Sequence, residues 1–427
     1  MFFFVILQKQ YKAMKVEIIN IGDELLIGQV VNTNCSYMSK LLNKNGFLVS
    51  RVSVISDDKQ AIQNTLLDAM QRVDIVLLTG GLGPTKDDIT KVCLTEIFGG
   101  ELKEDLTISR HVERFFASRN LPYTSTNRSQ AFIPTSCYPI FNNVGTAPGM
   151  VFEKDNKTVI SMPGVPFEMQ KMMNDVVELL LKKYNPQTII DKNLVVAGIS
   201  ESFLSDKLEG FESKLDKEKV SLAYLPNGGM IRLRLSLHGG EKQEGERIIH
   251  NLTEELKSIV GEFLVGEDDD NLATIINKVL IGKQSTLAVA ESCTGGNLAH
   301  QITLVSGASN CFKGGIVAYN NDIKHSVLGV EEEILNKYHA VSKETVIAMA
   351  KGTLQLMNSD YAIATSGLAG PNSDGTDVPV GTIWLCAMKK NGEYKTHTTR
   401  YHTTRENFVD RVTNDAFFLL LNLIKGK

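Results

Sequence analysis

From Val16 onward, short apolar β-rich runs alternate with segments whose apolar residues recur at helical spacing, and this alternation leaves few folds open. Val16 to Ile21, Phe47 to Ile55 and Ile75 to Thr79 read as strands. Asn34 to Leu42, stopped by Gly46, and Lys59 to Val73 read as the helices between them. This succession implies a parallel sheet with helices on both faces and ligand loops at the strand C-termini. The same syntax returns near Asn271, with strands expected at Thr286 to Ala290, Gly315 to Tyr319, Tyr361 to Thr365 and Gly381 to Met388, and a closing helix from Glu406. Residues 175–265 are richer in Lys, Glu and Asn, with a helix expected over Ser202 to Leu215 and a strand over Ile231 to Leu237. At 427 residues the chain exceeds one hydrophobic core. The fold expected is α/β: two three-layer α/β domains, residues 14–172 and 268–427, joined by a small α+β connector over 173–266.

Composition narrows the function classes. A net charge of -4 and a single tryptophan, Trp384, offer neither a basic surface nor a base-stacking platform, so no nucleic-acid partner is expected. Six cysteines without C-x-x-C spacing argue against a zinc ribbon or a disulfide scaffold and for a cytoplasmic setting. The apolar run Phe2 to Leu7 is too short to span a bilayer, so no membrane association is expected, and residues 1–13 read as an upstream extension or a mis-assigned start before the strand that follows Met14.

Polar and glycine residues cluster where the first block's strands end. Gly80, Gly81 and Gly83 permit an anion nest, while Asp23, Glu24, Asp87 and Asp88 supply hard oxygen ligands for a divalent cation. The plainer alternative is structural, with Asp87 and Asp88 capping a helix over Ile89 to Phe98 and Asp23 and Glu24 serving as first-turn acids. In the second block, Ala290-Glu291-Ser292-Cys293-Thr294-Gly295-Gly296 follows a strand and precedes the amphipathic segment Asn297 to Val305. A hydroxyl and a thiol on such a turn make a candidate nucleophile, and free N–H groups at a helix start a candidate anion site. Here too there is a plainer alternative, a helix N-cap made by Ser292 or Thr294. The acidic run Glu267 to Asp270 reads as a solvated boundary whose Asp270 caps the next helix, with a cation site as the alternative.

The stretches G-D-E-L-L-I-G-Q, T-G-G-L-G-P-T-K-D-D and M-P-G-V-P-F-E-M, within residues 14–170, resemble the molybdopterin-binding-like domain of the CinA family. That resemblance implies metal-dependent hydrolysis of the ADP-ribose pyrophosphate bond. Asp23, Glu24 and Asp88 become metal-site candidates, and Gly80, Gly81 and Gly83 substrate-binding ones. Asn127, Arg128 and Gln130 match a further family stretch. The alternative is a competence- or damage-linked nucleotide- or pterin-binding protein with no N-terminal catalysis.

From about residue 270, the Ala290 to Gly296 turn is followed by Ser306-Gly307-Ala308-Ser309, Gly314 to Lys324, Ser366-Gly367-Leu368-Ala369-Gly370-Pro371, Pro379-Val380-Gly381-Thr382 and Thr404-Arg405-Glu406. Together these resemble the CinA C-terminal domain, similar to amidohydrolases that deamidate nicotinamide mononucleotide. No cofactor is implied for such an amidase. The resemblance assigns Ser292 as nucleophile, Lys324 as its base and Tyr319 as a proton relay or orienter, with Cys293 the rival nucleophile. A lysine base must be neutral to accept the proton, so a desolvated Lys324 is required. Thr294, Gly295 and Gly296 are expected to bind the oxyanion or a substrate phosphate, Arg405 to clamp phosphate, and Ser309, Ser366 and Gly367 to line the ribotide site. Thr403 and Thr404 stand where many relatives carry Gly-Asp or Gly-Asn. The middle region resembles the family's KH-like connector but lacks a G-x-x-G loop, which implies an interdomain or dimerisation role. A homodimer acting on small nucleotides, nicotinamide mononucleotide and ADP-ribose, is expected.

Overall fold

The computed structural model describes residues 14–227, 229–268, 270–373 and 375–426. The expected extension, residues 1–13, and Asp269 of the acidic run lie outside the described residues. The chain divides into two compact units, one reaching Ile190 and including Leu237–Glu246, the other comprising Asp191–Ser236 and the chain from Arg247 onward. Most of the connector thus groups with the C-terminal domain. The fold is mixed α/β, with two α/β domains joined by a KH-like α+β connector.

The N-terminal domain runs β1 (Lys15–Ile21), α1 (Asp23–Leu26), α2 (Thr33–Lys44), β2 (Leu48–Ile55), α3 (Lys59–Arg72), β3 (Ile75–Thr79), α4 (Thr90–Phe98), β4 (Leu102–Glu104), α5 (Leu106–Ala117), α6 (Ser125–Arg128), β5 (Phe132–Pro134), β6 (Tyr138–Ile140), β7 (Gly149–Lys154), β8 (Lys157–Met162) and α7 (Pro166–Lys183). Its main sheet has the order β2-β1-β3-β8-β7-β6, parallel as far as β8. Alternate residues of the strands serve opposite faces. Ile19, Val76 and Leu78 pack with Ile62 and Leu66 of α3, while Ile18, Ile75 and Leu77 pack with Met38 of α2 and Met173 of α7. The strand order reverses direction between β1 and β3, which opens a crevice at their C-terminal ends. There the loops touch: a Cβ on Gly80 would lie 2.1 Å from the Ile21 carbonyl, so only glycine permits this approach.

The connector follows as β9 (Ile189–Ala197), α8 (Glu201–Glu218), β10 (Val220–Asn227), β11 (Met230–His238), α9 (Lys242–Val260) and β12 (Leu264–Glu267), with sheet order β10-β11-β9-β12. The acidic run after it is neutralised by lysines. Lys192 pairs with Glu267 at 2.7 Å and Asp268 at 2.9 Å, Lys257 with Glu267, and Lys278 with Asp270 at 2.7 Å. Asp270 is therefore not the helix cap. Asn271 takes that role, accepting from the Thr274 N–H, because its short amide reaches the third N–H while Asp270 is drawn to the lysine.

The C-terminal domain comprises α10 (Leu272–Gly282), β13 (Leu287–Glu291), α11 (Asn297–Thr303), β14 (Phe312–Val317), α12 (Asn321–Ser326), α13 (Glu332–Tyr338), α14 (Lys343–Met357), β15 (Tyr361–Gly367), β16 (Thr382–Lys389), β17 (Tyr394–Arg400) and α15 (Arg405–Lys425). The sheet order is β14-β13-β15-β16-β17, with β14, β13 and β15 parallel and β16 and β17 antiparallel. One face packs on α10, α11 and α15 through Val289, Ile363 and Leu385; the other packs on α14 through Ala290, Ala364 and Cys386. A second switch point lies between β13 and β15. β14 ends at Val317, two residues earlier than the pattern suggests, because the Ala318 and Tyr319 carbonyls turn out of the sheet toward Lys324.

Candidate active site

The second switch point places Ser292 directly after β13, with its N–H donating to the Thr365 carbonyl of β15 at 3.0 Å. Gly295 and Gly296 complete the turn with φ of +61° and +104°, a backbone that L side chains rarely adopt. Neither Ser292 nor Thr294 caps α11. The buried Glu291 carboxylate accepts from the N–H groups of Gly296 at 2.9 Å, Leu298 at 3.0 Å and Ala299 at 2.9 Å. An internal anion therefore occupies the helix start that the sequence offers to substrate. The N–H groups of Gly295 and Gly296 are thus engaged within the protein. The Gly296 N–H is held by Glu291, the Gly295 N–H donates to the Ser292 carbonyl at 3.1 Å, and the Thr294 hydroxyl is bonded to that of Thr365. Glu291 escaped the sequence reading; the signal was an acid four residues before the Gly295-Gly296 helix entry.

Lys324, on α12, is 1 % exposed, and its Nζ donates to the Ala318 carbonyl at 2.8 Å, the Tyr319 carbonyl at 3.3 Å and Ser292 Oγ at 3.2 Å. Burial lowers its pKa to about 8. The required desolvation is present. Cys293 is buried beside it, and burial pushes its thiol up to about 12, which leaves little thiolate at neutral pH.

Ser292, Tyr319, Lys324, Ser366, Gly367 and Arg405 all line one cleft of about 400 Å³. The guanidinium of Arg405 donates to the Tyr319 hydroxyl and to the Gly370 carbonyl, each at 2.7 Å, and so spans the mouth. Thr404 caps α15 by accepting from the Asn407 N–H, which gives the departing threonine a structural role. The Tyr319 hydroxyl engages Arg405, and only its carbonyl contacts Lys324, so Tyr319 orients the lysine and is not placed as a proton relay. Ser366 donates to the Ala340 carbonyl at 2.6 Å. Thr294, Gly295 and Gly296 line a neighbouring shallow depression that shares Arg405. Ser309 reaches neither. It is exposed on a short turn just before β14, at the strand N-termini, because the Cys311 carbonyl bonds Leu287 at the start of β13 while Ser292 follows that strand's end.

At the N-terminal crevice, Asp57 joins the expected acids. It accepts from the Asp23 N–H at 3.1 Å, and burial together with the charges of Asp23, Glu24 and Asp87 raises its pKa. Asp57 went unnoticed in the sequence because it directly precedes the α3 cap Asp58 and reads as part of that turn. Asp88 is committed elsewhere, accepting from the Gly83 N–H at 2.8 Å and the Thr85 N–H at 3.0 Å, so it braces the glycine loop instead of capping α4. The gathered charge suits a cation, but among the described residues no three His, Cys, Asp or Glu side chains form a metal-holding group. Asp23, Glu24 and Asp88 are not gathered into one such group in this structure. Asn127 forms a capping box with Thr124, while Arg128 pairs with Glu104 of β4 at 2.7 Å and the Gln130 carbonyl accepts from Lys91 of α4, so all three have structural partners.

Residues 269–424 match the model of the CinA C-terminal domain, residues 191–266 that of the damage-inducible protein CinA KH domain, and residues 17–183 that of a "probable molybdopterin binding domain". A CinA-like protein of Flavobacterium psychrophilum is 40% identical over 413 residues, covering 95% of this chain and 98% of its own. The chain belongs to the CinA family. A CinA-like protein of Cytophaga hutchinsonii is 38% identical and covers 96% of this chain and 97% of its own. A crystal structure of a CinA protein of unknown function from Thermoplasma acidophilum is 34% identical, covers 40% of this chain and 98% of that one, and superposes with a TM-score of 0.35. The proteins of Flavobacterium psychrophilum and Cytophaga hutchinsonii match the chain along nearly its whole length. Among the described residues no helix is long and apolar enough to cross a membrane.

Proposed function

We propose that the C-terminal domain hydrolyses the carboxamide of nicotinamide mononucleotide to nicotinate mononucleotide and ammonia, by a Ser/Lys mechanism without a cofactor. One observation carries this reading: a buried lysine with a lowered pKa lies 3.2 Å from the hydroxyl of a serine on a strand-to-helix turn. Neutral Lys324 keeps its N–H groups on the Ala318 and Tyr319 carbonyls, which turns its lone pair toward Ser292. Ser292 Oγ attacks the amide carbon as Lys324 takes its proton. The tetrahedral intermediate collapses with the C–N bond breaking, and Lys324 returns the proton to the departing ammonia. Water then cleaves the ester, with Lys324 again as base. The N–H of Cys293, next after Ser292, is the oxyanion donor this arrangement favours, and Arg405 at the mouth suits the phosphate.

For the N-terminal domain the proposed ligand is ADP-ribose, seated at the Gly80 to Gly83 loop. Pyrophosphate hydrolysis there would need a divalent metal, which Asp23, Glu24 and Asp57 would hold and which would supply charge to the pyrophosphate oxygens. Ammonia release from nicotinamide mononucleotide by the purified full chain tests the first reading; no ammonia above the rate of the Ser292→Ala variant would discard it.

A further inference from the structure

Apart from both sites, the second unit holds a cavity of about 360 Å³ between the connector and the C-terminal domain. Gly198 and Met230 line it from the connector, and Tyr401 and the α15 residues Asp415, Phe418 and Asn422 line it from the other side. Its size lies in the range of small-molecule pockets, about 300–1,000 Å³. Nothing in the amidase mechanism uses it.

The chemistry of its walls is uneven. One oxygen of Asp415 accepts from the Tyr401 hydroxyl, and the other faces the turn between β10 and β11, 3.8 Å from where a side chain on Gly229 would begin. Burial raises the carboxyl's pKa, opposed by the Tyr401 hydrogen bond and by His397 and Arg411, and it also raises that of the Tyr401 hydroxyl, which therefore remains a donor. The Arg411 guanidinium lies 5.3 Å from the Tyr401 ring centroid, and among the residues lining the cavity Asp415 is the one acid. Beside Asp415, one turn further along α15, Phe418 forms an apolar wall, packed so closely on Gly198 that a Cβ there would lie 2.7 Å from its ring.

An acceptor oxygen, a side-chain amide and an aromatic wall, with no lysine or arginine lining the cavity, fit a flat, uncharged ligand with N–H donors. A phosphate would sit against the Asp415 carboxylate. We propose that this cavity binds a neutral nitrogen heterocycle, a nucleobase or an unphosphorylated nucleoside, with Asp415 accepting from its N–H edge and Phe418 packing on its ring. The site stands independently of the amidase reading. It shares α15 with the cleft: Arg405 opens the helix, and Asp415 follows roughly 15 Å along it.

Adenosine is the probe and AMP the comparison, measured by equilibrium dialysis on the full chain. Saturable adenosine binding is expected at sub-millimolar Kd, with AMP at least tenfold weaker. Asp415→Asn puts a donor where the ligand needs an acceptor, and Asn422→Leu fills the cavity without touching the Asp415 and Tyr401 pair; each should weaken adenosine at least tenfold. Arg405→Ala should leave it unchanged. Thermal melts report folding, and Asn422→Leu decides the matter if Asp415→Asn does not fold. The proposal is overturned by no saturable binding at millimolar adenosine, by AMP binding as tightly as adenosine, or by sensitivity to Arg405→Ala and not to the cavity variants.

Discussion

Lys324 Nζ lies 3.2 Å from Ser292 Oγ with two backbone carbonyls fixing its remaining hydrogens, so loss of one proton leaves the lone pair facing the serine. Amidase activity should therefore rise with pH through about 8. Lys324→Arg should reduce kcat by at least about 10³-fold, since guanidinium stays protonated across this range. Near-normal turnover by that variant would make Lys324 a substrate-binding residue.

The same burial has a stability consequence of opposite sign to that of a paired lysine. The folded pKa, about 8, is below the ordinary 10.5, so the folded state resists protonation and Lys324 costs stability at pH below 8. That cost is relieved as pH rises from about 8 to 10.5. Lys324→Met should stabilise the C-terminal domain at pH 7 by about 1–3 kcal/mol, less whatever its lost hydrogen bonds contribute. Chemical denaturation at pH 7 and pH 10 measures it, and the gain should shrink at the higher pH.

Ser292→Ala should abolish ammonia release and leave the melting temperature within a few degrees of the parent, since it removes one hydroxyl without opening a core. Cys293→Ala should keep most of the activity because that thiol is buried and protonated. A dead Cys293→Ala alongside an active Ser292→Ala would reverse the assignment.

Glu291→Ala removes the acceptor of three N–H groups at the start of α11 and should cost at least about 2 kcal/mol, with Glu291→Gln losing less. Denaturant midpoints compare the two. Equal losses would mean that the charge, not the acceptor oxygens, is what the helix needs.

In the N-terminal domain, Asp57→Asn should raise the melting temperature at neutral pH, because it removes a partly buried charge facing Asp23, Glu24 and Asp87 while an amide oxygen still accepts from Asp23. The gain should fade as pH falls through the carboxyl's raised pKa. Asp57→Asn and Glu24→Ala should each impair any divalent-metal-dependent ADP-ribose hydrolysis and leave ammonia release intact. Loss of both activities together would point to misfolding.

The sequence by itself determined the two α/β blocks, their connector and the loops that carry chemistry, because apolar periodicity and glycine placement are local properties that survive without knowledge of partners. Ser292, Lys324 and Arg405 were likewise readable, as members of ordered motifs. Which groups meet was decided only by the tertiary structure. Glu291 turns back on the helix start and takes the N–H groups of Gly296, Leu298 and Ala299, Asp57 arrives from the end of a different strand, and Asp88 folds onto its own loop. Ser309 and Ser292 are only 17 residues apart, yet they lie at opposite ends of the sheet because α11 carries the chain back along β13 before β14 begins. Hydrogen-bond partners and burial belong to residues distant in the chain, and burial is what sets the lowered pKa of Lys324.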